Sequence, residues 1–454
     1  MRRLIRYGLW TLGLVALAIG ATSAIGIETK GARPGYVDAV QLALPAVVNI
    51  SATRIVETRT SPFANEWYWR YFRQHGQMER RVENSLGSGV IASADGYVVT
   101  NHHVVGGALE ILVELSDRRE FEAEVALVDR RYDLAVLKLR DAPALPILEL
   151  RNSDTLQIGE LVLAVGNPFG IGQTVSSGII SGFYALRSYF VQTDAPIYSG
   201  NSGGALIDTD GRLVGINTML QIDNEGLRGI GFAIPSNLVE VFVEQARMGA
   251  ARFKTPWAGI DAVGVDRELA QDLGLERPTG VVIRSMHRMS PLAEAGMRVG
   301  DVVVAMDGIA IHTPAELRYR MAIGRPGDAS RLSTVRDGRP LSFDATLKLA
   351  PETPPRDTAT VGDRSVLRGL VVSNINPAVI VEHELPVNAS GVVLARVPDS
   401  LARIGFRRGD ILLRINGRAI GKPDDVLELA GRRIRDWEIV VGRNGMQHLY
   451  RFRT

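Results

Sequence analysis

Residues 88–105 read SGVIASADGYVVTNHHVV. The stretch is rich in valine and isoleucine and reads as β-strand sequence, with GYVVT as the run before the histidines. That run stops on His102 and His103. The same texture continues in AVVNISA (46–52), LEILVEL (109–115), DLAVLKL (133–139), LVLAVGN (161–167), GRLVGINT (211–218) and GIGFAIP (229–235). Many short β-branched runs bounded by Gly, Asn and Asp predict an all-β barrel or sandwich from about Ala39 to Glu244, rather than alternating βαβ units. One helix is predicted over PSNLVEVFVEQARM (235–248), whose apolar residues recur at helical spacing.

The chain of 454 residues has room for about three domains. A net charge of +2 over that length gives no reason to expect a nucleic-acid partner. With no cysteine, disulfides, thiolate metal sites and cysteine nucleophiles are excluded, which leaves serine, threonine or a carboxylate for covalent chemistry. The N-terminal stretch, residues 1–30, places Arg2, Arg3 and Arg6 before the uncharged run Tyr7 to Ile27. That run has the length of a membrane span, and Ala21-Thr22-Ser23-Ala24 has the small residues of a cleavage site, so it reads as a signal peptide or a membrane anchor. Either way the arginines stay cytoplasmic and the rest of the chain is exported.

The last two hundred residues or so repeat. GMRVGDVVVAMDGIAI (296–311) matches GFRRGDILLRINGRAI (405–420), and the leads TGVVIRSMHRMSPLAEA (279–295) and SGVVLARVPDSLARI (390–404) are alike. Two copies indicate a duplicated domain, too long for a solenoid unit. LAPETPPRDTATVGD (349–363) reads as the linker between them, and MGAARFKTP (248–256) as a second joint. SPFANEWYWRYFRQHGQMERR (61–81) is crowded with aromatics. It reads either as an insertion packing on its own domain or as a regulatory or subunit-contact loop, with a membrane-interface role open if an anchor is retained.

The strongest chemical signal is DAPIYSGNSGGAL (194–206). A serine within Gly-Asn-Ser-Gly-Gly suits a nucleophile on a tight turn, with the Gly200 and Ser202 amides turned toward one point. The same composition also suits a plain glycine-rich hairpin loop. A serine nucleophile needs a general base, and a neutral imidazole needs a carboxylate to fix its tautomer. Of the seven histidines, the pair in TNHHVV alone abuts strand-like sequence in the all-β part. In DRRYDLAVLKL (129–139), Asp133 opens an apolar run where a carboxylate needs a partner, whereas Asp129 sits beside Arg130 and Arg131.

GSGVIASADGYVVTNHHVV, DLAVLKL, GNPFG, SSGIISG, QTDAPIYSGNSGGAL and GIGFAIPS resemble, in order, the motifs of the HtrA (Deg) envelope serine proteases, across nearly the whole chain after the N-terminal segment. The resemblance implies a mainly β chain: a chymotrypsin-like double β-barrel protease domain at 35–248, then PDZ domains at 257–350 and 364–454. Thr-Asn-x-His-Val assigns the base to His103; since neighbours in an extended run face opposite ways, His102 is a spectator. Asp133 and Ser202 complete the triad, with Gly200 and Ser202 as the oxyanion hole. Ala258, Gly259 and Ile260 of WAGI, and Gly369 and Leu370 of RGLV, are the expected donors to a peptide carboxylate. Between the second loop and the next strand, SNINPAVIVEHELPVN (373–388) departs from the usual short form. FYALRS (183–188) is shorter than the activation loop of peptide-sensing members, with Arg187 as a candidate sensor. Tyr198, Ser199 and Asn217 are the places to look for the specificity pocket.

The implied function is ATP-independent degradation of unfolded or damaged proteins in the periplasm, by a protein exported or held in the inner membrane. The implied assembly is a homotrimer or a multiple of trimers, and the implied preference is for small aliphatic residues before the cut. No metal or cofactor is implied. Two other readings stand beside it: a chaperone that holds clients without cutting, and a site-specific regulatory protease acting on one membrane partner.

Overall fold

A computed structural model describes residues 35–59, 78–167, 172–185, 188–198, 200–218 and 230–453. The N-terminal segment 1–30, the aromatics between Phe63 and Phe72, Arg187 and Ser199 lie outside the described residues.

After helix α1 (Val37–Ala43), strands β1 (Val47–Arg59), β2 (Met78–Ser93), β3 (Tyr97–Asn101), β4 (Glu110–Glu114), β5 (Glu120–Asp129) and β6 (Leu134–Leu139) close into a barrel in the order β1-β2-β3-β6-β5-β4. Within 88–105 the chain forms a hairpin, with Val90 opposite Val99 and Ile91 opposite Val98. Its turn needs Gly96, whose φ is +88°. The chain then leaves β3 through a single helical turn, α2 (His102–Val105).

β7 (Leu161–Gly166), β8 (Thr174–Ala185), β9 (Tyr189–Thr193), β10 (Ala205–Asp208), β11 (Leu213–Thr218) and β12 (Gly231–Pro235) close a second barrel in the order β10-β11-β12-β9-β8-β7. Closure leaves neither sheet a free edge. Helix α3 (Ser236–Arg247) follows and packs across β3, β5 and β6 of the first barrel, which explains the full burial of Phe242. The mainly β, two-barrel expectation holds, and the helix falls where its periodicity placed it.

The repeat folds as two sheets of like order. The first comprises β13 (Ile260–Gly264), α4 (Arg267–Asp272), β14 (Val281–Met286), α5 (Pro291–Glu294), β15 (Val302–Met306), β16 (Ile309–Ala310), α6 (Pro314–Ile323), β17 (Ala329–Arg336) and β18 (Arg339–Thr346). Its strand order is β13-β14-β15-β17-β18, with β16 on β15. The second comprises β19 (Ala359–Thr360), β20 (Val371–Asn374), α7 (Pro377–His383), β21 (Val392–Arg396), α8 (Asp399–Ala402), β22 (Ile411–Ile415), β23 (Arg418–Ala419), α9 (Pro423–Ala430), β24 (Asp436–Arg443) and β25 (Met446–Arg453). Its order is β19-β20-β21-β22-β24-β25, with β23 on β22.

The Gly-Asp pair in each copy of the repeated motif has a structural reason. Asp301 and Asp410 are both 1% exposed. Each carboxylate accepts the amide three residues upstream, from Arg298 and Arg407, at 2.8 Å. Each also accepts a guanidinium, Arg336 or Arg443, at 2.6 Å. A buried carboxylate persists only when paired and hydrogen-bonded in this way, so the repeated aspartate pins the turn to β17 in the first repeat and to β24 in the second.

The first repeat seats on the barrels through α6. Tyr319 stacks on Tyr189 of β9 with centroids 4.5 Å apart, and Arg320 pairs with Asp154 at 2.6 Å. The second repeat reaches the joint after α3 through Glu382, which takes Arg252 at 2.9 Å and Arg356 at 2.5 Å. No helix among the described residues is long and apolar enough to cross a membrane.

Candidate active site

Strand pairing brings the histidine and the aspartate together. β3 and β6 run antiparallel with Asn101 opposite Leu134, so residues just past the end of β3 lie beside the residue that precedes β6. The Asp133 carbonyl accepts the His102 amide at 3.0 Å and the Asn101 side chain at 3.1 Å. Its carboxylate straddles His103, taking the backbone amide on Oδ1 at 3.0 Å and Nδ1 on Oδ2 at 2.7 Å. A carboxylate only accepts, so the ring proton sits on Nδ1, and Nε2 carries the lone pair a general base needs. Thr218 at the end of β11 donates to the same Oδ2 at 2.9 Å, so the second barrel also holds the acid. Asp133 has φ +53°, a left-handed conformation that costs a non-glycine residue about 1 kcal/mol. Asp129, by contrast, pairs with Arg131 at 2.7 Å, as its neighbours suggested.

Ser202 lies in the turn before β10, on the other barrel. Its carbonyl accepts the Ser88 amide at 2.9 Å, and the Ser88 hydroxyl donates to the Gly200 carbonyl at 2.7 Å. The Ser202 turn is thus clamped by the hairpin strand β2. The glycines after the serine are required by close approach: a Cβ on Gly203, whose φ is +83°, would sit 2.2 Å from the Ser88 carbonyl oxygen, and one on Gly204 2.3 Å from that of Val165. Within the turn the amides of Asn201, Gly203 and Gly204 donate to Tyr198, Asn217 and Asn201 carbonyls. Among the described residues nothing engages the Gly200 and Ser202 amides, the two expected oxyanion donors. The Ser202 hydroxyl is buried and has no hydrogen-bond partner among them either, the condition of a group kept for a ligand rather than for the fold.

His102 and His103 are not on an extended run, contrary to the expectation from the valine-rich flanks. They open α2, and the backbone turns helical because the Gly106 amide closes on the His102 carbonyl at 2.7 Å. The two rings still part: His103 meets Asp133, while the His102 imidazole lies against Gly106, and burial holds its pKa below the usual value. Of the pocket candidates, Tyr198 is well exposed, whereas Asn217 is fully buried and donates to the Gly204 and Ala205 carbonyls, bracing the serine turn from behind. Sequence reasoning missed Ser88, Thr100 and Thr218. Their signal was present as polar residues inside apolar strand runs: Thr100 is fully buried and donates to the Ser88 carbonyl at 2.7 Å.

The two predicted carboxylate loops differ. In the first repeat Gly259 has φ +63°, its carbonyl accepts the His287 amide at 2.8 Å, and Ser290 donates to the Ala258 carbonyl at 2.6 Å. No hydrogen bond among the described residues engages the Ala258 and Gly259 amides, and β13 is the edge of its sheet. In the second, Gly369 has the equivalent φ of +75°, but its amide already donates to the Val361 carbonyl at 2.9 Å, and the Leu370 amide donates to Leu367 at 3.0 Å. Both predicted donors are engaged, Gly369 by Val361 of the linker that folds back on it and Leu370 by the local turn from Leu367.

Paired six-stranded barrels with a histidine–aspartate couple on one and a glycine-flanked serine on the other define a trypsin-like serine peptidase. The trypsin-like peptidase domain family matches residues 87–216, and the PDZ domain family matches 258–347. A DegP-like periplasmic serine endoprotease of Halomonas elongata is 34% identical over 99% of this chain and 98% of its own length. Its counterpart in Pseudomonas fulva is 36% identical over 91% of this chain and 92% of its own. The solved HtrA-type protease AlgW with a decapeptide is 37% identical with a TM-score of 0.51, covering 71% of this chain and 100% of that one. AlgW with a tripeptide is 38% identical with a TM-score of 0.52, covering 71% of this chain and 99% of that one. The chain belongs to the HtrA family of DegP-type serine proteases.

Proposed function

We propose that this serine endoprotease acts in the periplasm, without ATP, on unfolded or damaged proteins. His103 takes the proton of Ser202 on Nε2, Ser202 attacks the scissile carbonyl, and Asp133 orients the imidazole and stabilises its protonated form. The Gly200 and Ser202 amides hold the oxyanion; water activated by His103 then releases the acyl group. The observation that carries this reading is the 2.7 Å bond from Nδ1 to Asp133, which fixes the tautomer with Nε2 as base.

The first repeat serves as the peptide-reading PDZ domain, supported by its free β13 edge and by the unengaged Ala258 and Gly259 amides. Like strand order and the matching aspartate–arginine pair support a second PDZ domain in the second repeat. Resemblance to the family supports assembly into trimers, and the N-terminal segment supports export with or without an inner-membrane anchor.

Incubation of the purified protein with reduced casein tests the reading. The parent cleaves it, and Ser202→Ala loses about 10⁴-fold or more in kcat. If neither form cleaves casein across temperature and added C-terminal peptides, the proteolytic reading fails and a client-holding role takes its place.

A further inference from the structure

The Asp133 carboxylate is aimed by a backbone in an unfavourable conformation, so the flanking chain must hold it there. On the C-terminal side β6 does so within the barrel. On the N-terminal side stands Tyr132, a mostly buried ring whose phenol burial pushes up to about 12. It meets two other aromatics edge-on: Phe242 of α3 at 6.0 Å between centroids and 78° between planes, and Phe253 at 5.6 Å and 86°. Those two stack face to face at 3.7 Å. Phe253 does not belong to the barrels; it lies in the joint that leads to the first repeat and is 6% exposed. The Ser188 hydroxyl also secures the turn, donating to the Arg131 carbonyl at 3.1 Å.

We infer that Tyr132 is a positioning residue for Asp133, wedged in an aromatic slot of which the interdomain joint supplies one wall through Phe253. Edge-to-face rings fix orientation as well as distance, and Tyr132 is covalently next to the acid, so a shift of its ring moves the Asp133 backbone. The joint between the barrels and the first repeat therefore bears on the acid–base couple directly.

This inference rests on the catalytic reading of His103, Asp133 and Ser202, and the experiment keeps the two apart. Active sites are titrated with a fluorophosphonate, and kcat is expressed per reactive serine, so that loss of folded protein does not register. Tyr132→Ala is expected to lower that kcat about ten- to a hundred-fold, as an ångström's misplacement of a catalytic group does, with KM within about twofold. Tyr132→Phe, which keeps the ring and drops the hydroxyl, restores it. Tyr132→Leu and Phe253→Leu keep bulk without the edge-on geometry and give smaller losses in the same direction; they carry the test if the alanine variant does not fold. Unchanged kcat per serine in the leucine variants, or a phenylalanine variant as slow as the alanine, overturns the inference. A parent whose Ser202 the fluorophosphonate does not label overturns the catalytic reading instead.

Discussion

The two C-terminal repeats share a scaffold and differ in what lies in the groove. In the first, β13 is the edge of its sheet among the described residues and touches α6. In the second, the equivalent strand β20 is already paired: Ala359 lies opposite Val372 and Thr360 opposite Val371. Contacts of α9 with both β19 and β20 put this linker strand between them, in the place the PDZ reading gives to a peptide. Val361 completes the imitation. Its amide donates to the Leu370 carbonyl and its carbonyl accepts the Gly369 amide, both at 2.9 Å, while its side chain, 2% exposed, joins the core with Leu367, Leu370 and Val426. An external peptide entering here competes with a tethered occupant, whose effective concentration is of millimolar order. One sequence motif thus yields one sheet that ends on β13 and one whose equivalent strand is covered by the connecting segment.

Crowding the two loops is the largest test of that contrast. A Cβ on Gly259 would meet the Ser290 Cβ at 2.9 Å and the Trp257 ring at 3.0 Å in a left-handed backbone, so Gly259→Val is expected to weaken binding of a peptide with an apolar C-terminus about a hundred-fold or more. Gly369→Val should leave that affinity unchanged. Fluorescence anisotropy with a labelled peptide decides it, and equal losses in both variants would mean that the second groove is also a working site. The next largest effect opens the closed groove. Val361→Asp places a carboxylate in an apolar core, so the linker strand should leave its groove, and stability should fall by about 2–4 kcal/mol. Titration calorimetry should then count two peptides per chain where the parent binds one; a count that stays at one shows that the second loop cannot receive a peptide even when vacated.

Much of this was legible in the sequence, and the failures have physical causes. The barrels were readable because closed strands bury both faces: Val90, Ile91, Val98 and Val99 have no exposure at all. β5 was not, because its Glu120, Glu122 and Glu124 face solvent, two of them paired with Arg140, and break the pattern over the first half of the strand. His103, Asp133 and Ser202 were picked out from local pattern, since each lies within a few residues of a strand end: past β3, before β6 and before β10. Ser88 and Thr218 act across barrels, and no local spacing marks a bond between residues so far apart in sequence. The stretch 349–363 was read as linker from its proline and charge, but backbone pairing is indifferent to such composition, and β19 forms wherever an unpaired edge meets an extended segment.

How each repeat is tied to the rest of the molecule gives the smallest and last contrast. The first seats through the Tyr319–Tyr189 stack beside the Arg320–Asp154 pair, and burial pushes the Tyr189 phenol up to about 12, so the stack itself carries no charge change in mild acid. The second is tied through Glu382, where burial would raise the carboxyl but Arg356 and Arg252 outweigh it and bring it down from 4.5 to about 2. A carboxyl depressed in the folded state contributes stability above its unfolded value and loses it as pH falls toward the folded one, here between about 4.5 and about 2. The melting-temperature difference between parent and Glu382→Gln is therefore expected to be constant from neutral pH down to about 5, then to shrink as the medium is acidified further, whereas Tyr319→Phe should differ from the parent by the same amount throughout. A Glu382→Gln difference that does not change with pH would mean that the clasp contributes through shape rather than charge, and the two tethers would then be alike in kind.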